Sequence, residues 1–270
     1  MKSVLLHVNN DDGQESRLQA ALDLVRAQEG HLTCLQVTPV QQYVAMDPFG
    51  GSFVLPANLQ ELRAEEARER SVLEERLARE DVAWDWQHYN GDLVQTLLSV
   101  SRLADVTVLT RTMAAPKDIG APLPIAADVA IHAHGAILAV PPELKSFDVC
   151  GRAVVAWNGS YEAAHALRSA VTLLASAQEV NIVTVDEDAS GFPAIDASEY
   201  LSRHGIASEL HEWPRKNRTV EESLMHAIDE LKGSYMVMGA YGRSRLRETL
   251  FGGVTKYLMA ECRVPLLLSH

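Results

Sequence analysis

The sequence predicts an α/β protein made of two tandem Rossmann-like or flavodoxin-like half-domains, each a mostly parallel five-stranded sheet with helices on both faces. Two observations carry this prediction. Short apolar runs rich in β-branched residues alternate with helical segments, which is typical of βαβ units. The order of these segments also occurs twice in the 270 residues, a length that suits two domains of average size.

The opening segments of the two halves correspond in order and spacing. An apolar run that closes on Asn9 has the register of one that closes on Asn158, and both indicate a buried strand followed by a turn. The matching segments lie about 148 residues apart. They are the strands 4–9 and 153–158, the amphipathic helices 16–25 and 162–175, and the strands 32–37 and 180–185.

The later segments correspond at a shorter spacing of about 129 residues. They are the helices 92–102 and 219–230, the strands 106–109 and 235–238, and the last strands 137–140 and 266–268. The spacing shrinks because the first half has a longer middle, with a Pro/Gly-rich loop at 38–56 and a charged helix at 59–80. The second half has only a short helix there, at 196–204.

The boundary between the halves is predicted near Pro141 and Pro142, because two prolines stop the preceding strand. We expect one domain at 1–145 and another at 146–270. Each half ends in an apolar strand that would lie at a sheet edge, where unpaired backbone groups invite a partner. The two last strands are therefore predicted to pair antiparallel within the chain as an internal pseudo-dimer, which leaves a homodimer through another surface, such as helix 59–80, open.

Composition restricts the ligands and partners. The net charge of −12, without a basic run interleaved with aromatic residues, argues against nucleic acid. No apolar stretch approaches the length of a membrane span, and we expect no signal peptide and a cytoplasmic location. Three scattered cysteines suggest neither disulfides nor a thiolate metal site. The pair His132 and His134 lacks a third ligand at useful spacing, so no metal is implied.

One motif in the second half indicates chemistry. Gly239 and Gly242 follow a predicted strand, and Gly252 opens a predicted helix nine residues later. Glycines permit positive φ angles and close approach of a ligand to the backbone. The free N–H groups and dipole of the helix start favour an anion. We expect a phosphate chain between the glycines, with the Thr255 hydroxyl as a donor and Arg243 as the nearest cation.

These residues resemble the universal stress protein family, whose ATP-binding members carry G-x2-G-x9-G followed by Ser or Thr in this setting. The resemblance covers nearly the whole chain as a tandem pair, and it implies the adenine nucleotide alpha hydrolase-like fold. It also implies a ligand, ATP with Mg²⁺ or the alternatives ADP and AMP, and a stress-response role. The residues implied at the ligand are Ala156, Trp157, Asn158, Ser160, Val185, Met238, Gly239, Gly242, Arg243, Gly252, Gly253, Val254 and Thr255.

The chain departs from the family pattern at two of these positions. Asn158 stands where the family usually has an aspartate that binds the ribose, so the contact would lack a charge. Gly253 stands where the family has Ser or Thr, which removes a hydroxyl. The first half departs further, because no glycine pair follows its strand and Pro116, Pro122 and Pro124 lack backbone donors. We expect at most one nucleotide site per chain.

Simpler interpretations stand beside these. The glycines would then only shape turns, Asn158 and Ser160 would form a turn and a helix cap, and Trp157 would belong to the core. On that view the protein is a ligand-independent structural or protein-interaction module. A third hypothesis is an enzyme or carrier with a small ligand in the first half, near 9–12 and 38–56. No catalytic motif, base or nucleophile can be named, so at most slow ATP hydrolysis is expected.

Overall fold

The computed structural model describes residues 1–40, 44–46, 52–54, 56–111, 124–185, 192–240, 242 and 253–270. In the first half the elements are β1 (Ser3–Val8), α1 (Gln14–Gln28), β2 (His31–Thr38), β3 (Val44–Met46), β4 (Ser52–Val54), α2 (Pro56–Leu77), β5 (Ala83–Asn90), α3 (Leu93–Val100), β6 (Val106–Thr110), α4 (Ile125–His132) and β7 (Ala136–Val140). In the second half they are β8 (Arg152–Ala156), α5 (Tyr161–Leu174), β9 (Glu179–Val185), α6 (Ala194–Arg203), β10 (Glu209–Trp213), α7 (Val220–Leu231), β11 (Tyr235–Gly239), α8 (Gly253–Glu261) and β12 (Leu266–Ser269).

Ten strands form one continuous sheet in the order β10-β9-β8-β11-β12-β7-β6-β1-β2-β5. Each half contributes five parallel strands in the same relative order, which confirms the predicted tandem fold. The order reverses at β1 in the first half and at β8 in the second, and ligands of such sheets bind beyond the carboxyl ends of the strands at this point. The strands β3 and β4 form a separate antiparallel pair within the loop expected at 38–56.

The two halves join through their last strands, as the sequence predicted. β12 pairs antiparallel with β7, with Leu267 opposite Leu138 and Leu266 opposite Ala139. Both leucines of the first pair are almost fully buried. The pairing satisfies the backbone groups of two apolar edges within one chain.

The sheet is covered on both faces by helices. The helices α1, α2, α5 and α6 pack on one face, over a core that includes Val4, Val155 and Leu267. On the opposite face, α3, α4, α7 and α8 pack over a core that includes Leu5 and Val154. Alternate residues of β1 and β8 thus point to opposite faces, as the pleat of a strand requires. Both cores contain residues of both halves.

The two outer strands were not located by the sequence analysis, although five strands per half were expected. β5 and β10 pair with β2 and β9 at the two ends of the sheet. Their residues are mostly half-buried or exposed. In edge strands of this kind polar side chains alternate with apolar ones, so these strands lack the apolar run that revealed the inner strands.

Candidate functional site at the switch point of the second half

The candidate site lies where β8, β9 and β11 end together. Ala156 at the end of β8 pairs with Val183 of β9 on one side and with Met238 of β11 on the other. The parallel strands therefore bring the loop after β8, the end of β9 at Val185 and the start of the glycine loop to one edge of the sheet. Of the predicted ligand residues, Arg243 and Gly252 lie outside the described residues.

Trp157 belongs to the core rather than to the surface of the site. Its side chain is 6% exposed, and its indole Nε1 donates a hydrogen bond to the carbonyl oxygen of Phe192 at 2.8 Å. Its backbone N–H is bonded to Val183. Trp157 thus ties the loop after β8 to the start of α6, which favours the core interpretation over a cover for a base.

Asn158 and Ser160 form a turn that begins α5. The Oδ1 of Asn158 accepts a hydrogen bond from the Ser160 backbone N–H at 3.2 Å, and Gly159 between them has a positive φ of 70°. The Ser160 hydroxyl caps the helix by accepting from the Ala163 N–H at 3.1 Å. Asn158 is exposed, and its Nδ2 has no hydrogen-bond partner among the described residues. Among the described residues, nothing thus engages its amide hydrogens.

Gly239 is required by packing at the end of β11. A Cβ at this position would lie 2.5 Å from the Ala163 nitrogen and from the Glu162 carbonyl carbon, both backbone atoms at the start of α5. Its φ is not in the left-handed region, since the glycines with positive φ in the described chain are Gly91, Gly159 and Gly205. The close approach is thus to the protein's own helix, which corrects the expectation of a φ-driven turn at this glycine.

Gly242 and Gly253, unlike Gly239, have room for a Cβ among the described residues. Gly242 is exposed, and a Cβ there would meet the Oε2 of Glu162 at 3.4 Å. Gly253, the first residue of α8, has no described atom outside its chain neighbours and its own helix backbone within 4 Å of the position a Cβ would take. The space beside the first turn of α8 is therefore unfilled by the described residues, and the N–H groups of that turn can meet an anion there.

Three predicted residues are buried or half-buried. Thr255 is 5% exposed and Met238 is 4% exposed. Val254 is half-buried against the same core as α7 and β11. Their side chains anchor α8 and β11, and Gly253 is the exposed residue at the start of α8.

Sequence reasoning missed Glu162 and His165. The Glu162 side chain is largely buried at the start of α5, between Gly239 and Gly242. An acidic residue in a first helical turn is usually attributed to the helix dipole, so its position beside the glycine loop gave no distinct signal. His165 contacts the Ser269 hydroxyl at 2.7 Å, and burial, with the charge of Arg168 nearby, lowers the pKa of His165.

The equivalent place in the first half is filled by a buried arginine. Arg17 is 1% exposed, and its guanidinium donates to the carbonyl oxygens of His7 at 2.7 Å and Asn9 at 2.6 Å. It also donates to the Asp11 carboxylate at 2.6 Å and the Thr110 hydroxyl at 2.9 Å. Among the described residues, the Arg17 side chain thus occupies the space between the ends of β1 and β6.

Burial and the charges of this network shift the pKa values of His7 and Asp11. Burial, followed by the charge of Arg17, lowers the pKa of His7 to about 4. Burial alone would raise the pKa of Asp11, but hydrogen bonds from Arg17 and Asn9 hold it below its usual value. The segment 112–123, with Pro116 and Pro122, lies outside the described residues, and Pro124 precedes α4 as its N-cap.

A groove of about 670 Å³ lies elsewhere in the first half, between α3 and the sheet. It is lined by Ser3, Leu5, Thr33, Gln87, Tyr89, Asp92, Gln95, Thr96, Ser99, Val100, Leu103 and Ala104. These residues include a carboxylate and no lysine or arginine, so the groove does not suit a phosphate-bearing ligand. In the described residues, moreover, no cluster of His, Cys, Asp or Glu is placed to hold a metal ion, and no described helix could span a membrane.

The fold defines a class of protein: a doubly wound α/β chain of two half-domains, with the strand end at Gly239 beside the start of α5 at one switch point. Residues 151–270 match the model of the universal stress protein family. The family match thus covers the second half of the chain, and the first half repeats the same fold in tandem.

Solved structures of similar fold cover the whole chain. A universal stress protein from Archaeoglobus fulgidus DSM 4304 is 15% identical, with a TM-score of 0.77 over 99% of this chain and 96% of that one. A putative universal stress protein from Pseudomonas aeruginosa UCBPP-PA14 is 14% identical, with a TM-score of 0.60 over 100% of this chain and 93% of that one. A search of curated protein sequences gave no significant match.

Proposed function

We propose that the second half binds one adenine nucleotide, ATP with Mg²⁺ or in its place ADP or AMP, and that the protein has a regulatory role in the stress response of the cytoplasm. The observation that carries this proposal is the space beside Gly253 at the start of α8 that the described residues leave open. Backbone N–H groups at a helix start bind phosphate without any side-chain cation. The G-x2-G-x9-G spacing of the sequence supports a phosphate chain at this position.

Each part of the nucleotide has a candidate partner. The phosphates would meet the first turn of α8, with Arg243 and Gly252 of the motif as further contacts. The ribose would accept hydrogen bonds from the exposed Asn158 amide. The adenine would lie near the half-buried Val185, where β9 ends. Mg²⁺ would be held mainly by the triphosphate, because this ion retains much of its water and takes few protein ligands.

The proposal is one of binding rather than catalysis. The described residues at the site offer a neutral amide, a hydroxyl that already caps α5, backbone N–H groups and the largely buried carboxylate of Glu162. His165 is hydrogen-bonded to Ser269. We assign no general base among these groups, and ATP turnover would be slow.

The second candidate function is a ligand-independent interaction module, which the packing role of Gly239 and the capping role of Ser160 favour. Titration of the purified protein with Mg-ATP in a calorimeter separates the two. We expect a stoichiometry near one, and nucleotide in the supernatant after heat release. A stoichiometry near two would contradict the closed first half, and no heat of binding with no co-purified nucleotide would favour the interaction module.

The matched variants are Gly242→Val and Gly135→Ala. Gly242 is exposed beside the glycine loop, so a valine would enter the space expected for phosphate. Gly135 lies in the first half, where a Cβ would make an ordinary contact at 3.5 Å to the Ala104 carbonyl oxygen. We expect the first variant to lose nucleotide binding with an unchanged circular dichroism spectrum, and the second to bind like the wild type.

A further inference from the structure

A buried arginine of the first half holds the helix of the proposed phosphate site in the second half. Arg111 follows β6 directly and is 1% exposed. Its Nη1 donates a hydrogen bond to the carbonyl oxygen of Met259 at 2.6 Å and lies 3.5 Å from that of Leu258. Both carbonyls belong to the C-terminal part of α8. The contact therefore crosses from one half-domain to the other.

The carbonyl end of α8 is the natural partner for this charge. The last carbonyls of a helix lack intrahelical partners, and the dipole places partial negative charge there. The Nε and Nη2 atoms of Arg111 have no hydrogen-bond partner in the described chain. Burial lowers the pKa of Arg111, although Cys262, Glu143 and Glu261 act in the opposite direction. A buried guanidinium is costly, and among the described residues the bond to α8 offsets part of this cost.

The position in the second half that corresponds to Arg111 holds no arginine that could reach a helix of the first half. Ala240 occupies the repeat-related position after β11, since its N–H bonds to the last strand at Ser269 as the Arg111 N–H bonds to Val140. Both residues are buried. The alanine side chain has no hydrogen-bond donor, so it cannot bind carbonyl groups of α4 as Arg111 binds those of α8. The half without a nucleotide site thus supports the half with one.

We propose that Arg111 is a positioning residue for the phosphate site, which rests on the proposed function. α8 has nine residues and is about 13 Å long, so Arg111 holds the end opposite to the exposed first turn. Fixing this end sets the direction in which the N–H groups of Gly253 and Val254 point. The first half then has a function in the chain, because its Arg111 preorganises the anion site of the second half.

The test compares Arg111→Met with Arg152→Met in the full chain. Arg152 is a half-exposed arginine of β8 that pairs with Glu179 at 3.2 Å, so it controls for the loss of a cation. Two quantities are measured: hydrogen exchange of the α8 amides relative to those of α7, and the affinities for ATP and for adenosine. Adenosine lacks the phosphates that α8 would bind, so the ratio of the two affinities isolates the orientation of α8 from general stability.

We expect Arg111→Met to speed exchange in α8 about tenfold, to leave α7 unchanged, and to lower the ATP affinity about tenfold with the adenosine affinity unchanged. Arg152→Met should change neither. Unchanged α8 exchange, or an equal loss of both affinities together with faster exchange in α7, would overturn the inference. Arg111→Lys, which keeps a donor and the charge, should show smaller changes in the same direction and serves if the Met variant fails to fold.

The two proposals fail separately. If the wild type binds neither ATP nor adenosine, the proposed function is wrong, and the exchange of α8 in the unliganded variants still decides whether Arg111 holds this helix. If the wild type binds ATP and the variants differ from it in neither readout, the nucleotide site stands and the role of Arg111 is refuted.

Discussion

Thr110 at the end of β6 packs directly on Gly13 at the start of α1, where a Cβ on Gly13 would lie 2.6 Å from the Thr110 hydroxyl oxygen. In the second half the corresponding contact has its glycine on the strand instead of at the helix start, since Gly239 of β11 packs on Glu162 of α5. Each half thus needs one glycine where the fourth parallel strand meets the first helix. Gly239 of the glycine motif is therefore required for this packing contact, whether or not a ligand binds nearby.

Gly239→Ala and Gly242→Ala are expected to separate packing from ligand binding. In the Gly239 variant the added Cβ overlaps backbone atoms of α5 and pushes β11 and α5 apart. This change should lower the free energy of unfolding by about 2 kcal/mol. Among the described residues, a Cβ at Gly242 meets the Glu162 carboxylate at an ordinary contact distance of 3.4 Å, so the stability of the Gly242 variant should stay within about 0.5 kcal/mol of the wild type. Urea denaturation measures both, and calorimetry with ATP should show weaker binding to the Gly242 variant. Equal stability of the two variants would contradict the packing role of Gly239.

Gly253→Ser is expected to strengthen nucleotide binding. The Cβ has open space, and serine at the start of α8 restores the hydroxyl that the resemblance places beside the phosphate. One additional hydrogen bond to a charged group corresponds to about a tenfold gain in ATP affinity. Gly253→Ala controls for the helix propensity of the new residue. If both variants gain equally, the effect comes from the helix and not from the hydroxyl.

Asn158→Asp tests whether this residue contacts the ribose. The carboxylate can keep the turn, because an oxygen still accepts from the Ser160 N–H, and it accepts from ribose hydroxyls as well. We expect the affinity for ATP to rise or stay unchanged, and Asn158→Ala to lose about fivefold. The readout is the affinity for ATP relative to that for inorganic triphosphate, which has no ribose. An equal response to both ligands would remove Asn158 from the ribose site.

The sequence revealed the inner strands and the tandem repeat because buried parallel strands are continuous apolar runs. It also gave the pairing of β7 with β12, since two apolar edges in one chain satisfy each other. It did not reveal Arg17 or Arg111, because a lone arginine in a sequence resembles a solvated surface charge. Their burial depends on carbonyl groups supplied by residues far along the chain. Local periodicity contains no information on such contacts.

His7 is expected to make the stability of the protein depend on pH. The folded protein keeps His7 neutral down to a pKa of about 4, whereas its ordinary pKa is 6.5. Between these values the unfolded chain binds the additional proton, so the free energy of unfolding should fall as the pH falls from about 6.5 to 4. The loss from this group approaches about 3 kcal/mol. His7→Gln should reduce the pH dependence of urea denaturation in this window, with the remainder attributed to groups such as His165.

The junction between the halves should make the chain unfold as one unit. Leu138 and Leu267 are opposite each other in the antiparallel pair of β7 and β12, and each lies in the core on one face of the continuous sheet. Phe147 and Tyr235 add an edge-to-face ring contact on that face, with centroids 5.6 Å apart. Because both cores include residues of both halves, opening one half exposes the apolar surface of the other.

Leu138→Ala and Leu267→Ala provide the measurement. Each should lower the free energy of unfolding by about 3 kcal/mol through the cavity it leaves. The two changes should be non-additive by about 1 kcal/mol, since the side chains share one contact across the junction. Urea denaturation followed by tryptophan fluorescence and circular dichroism should give one coincident transition for the wild type. Two separate transitions, with each variant shifting only the transition of its own half, would show that the halves fold independently despite the shared sheet.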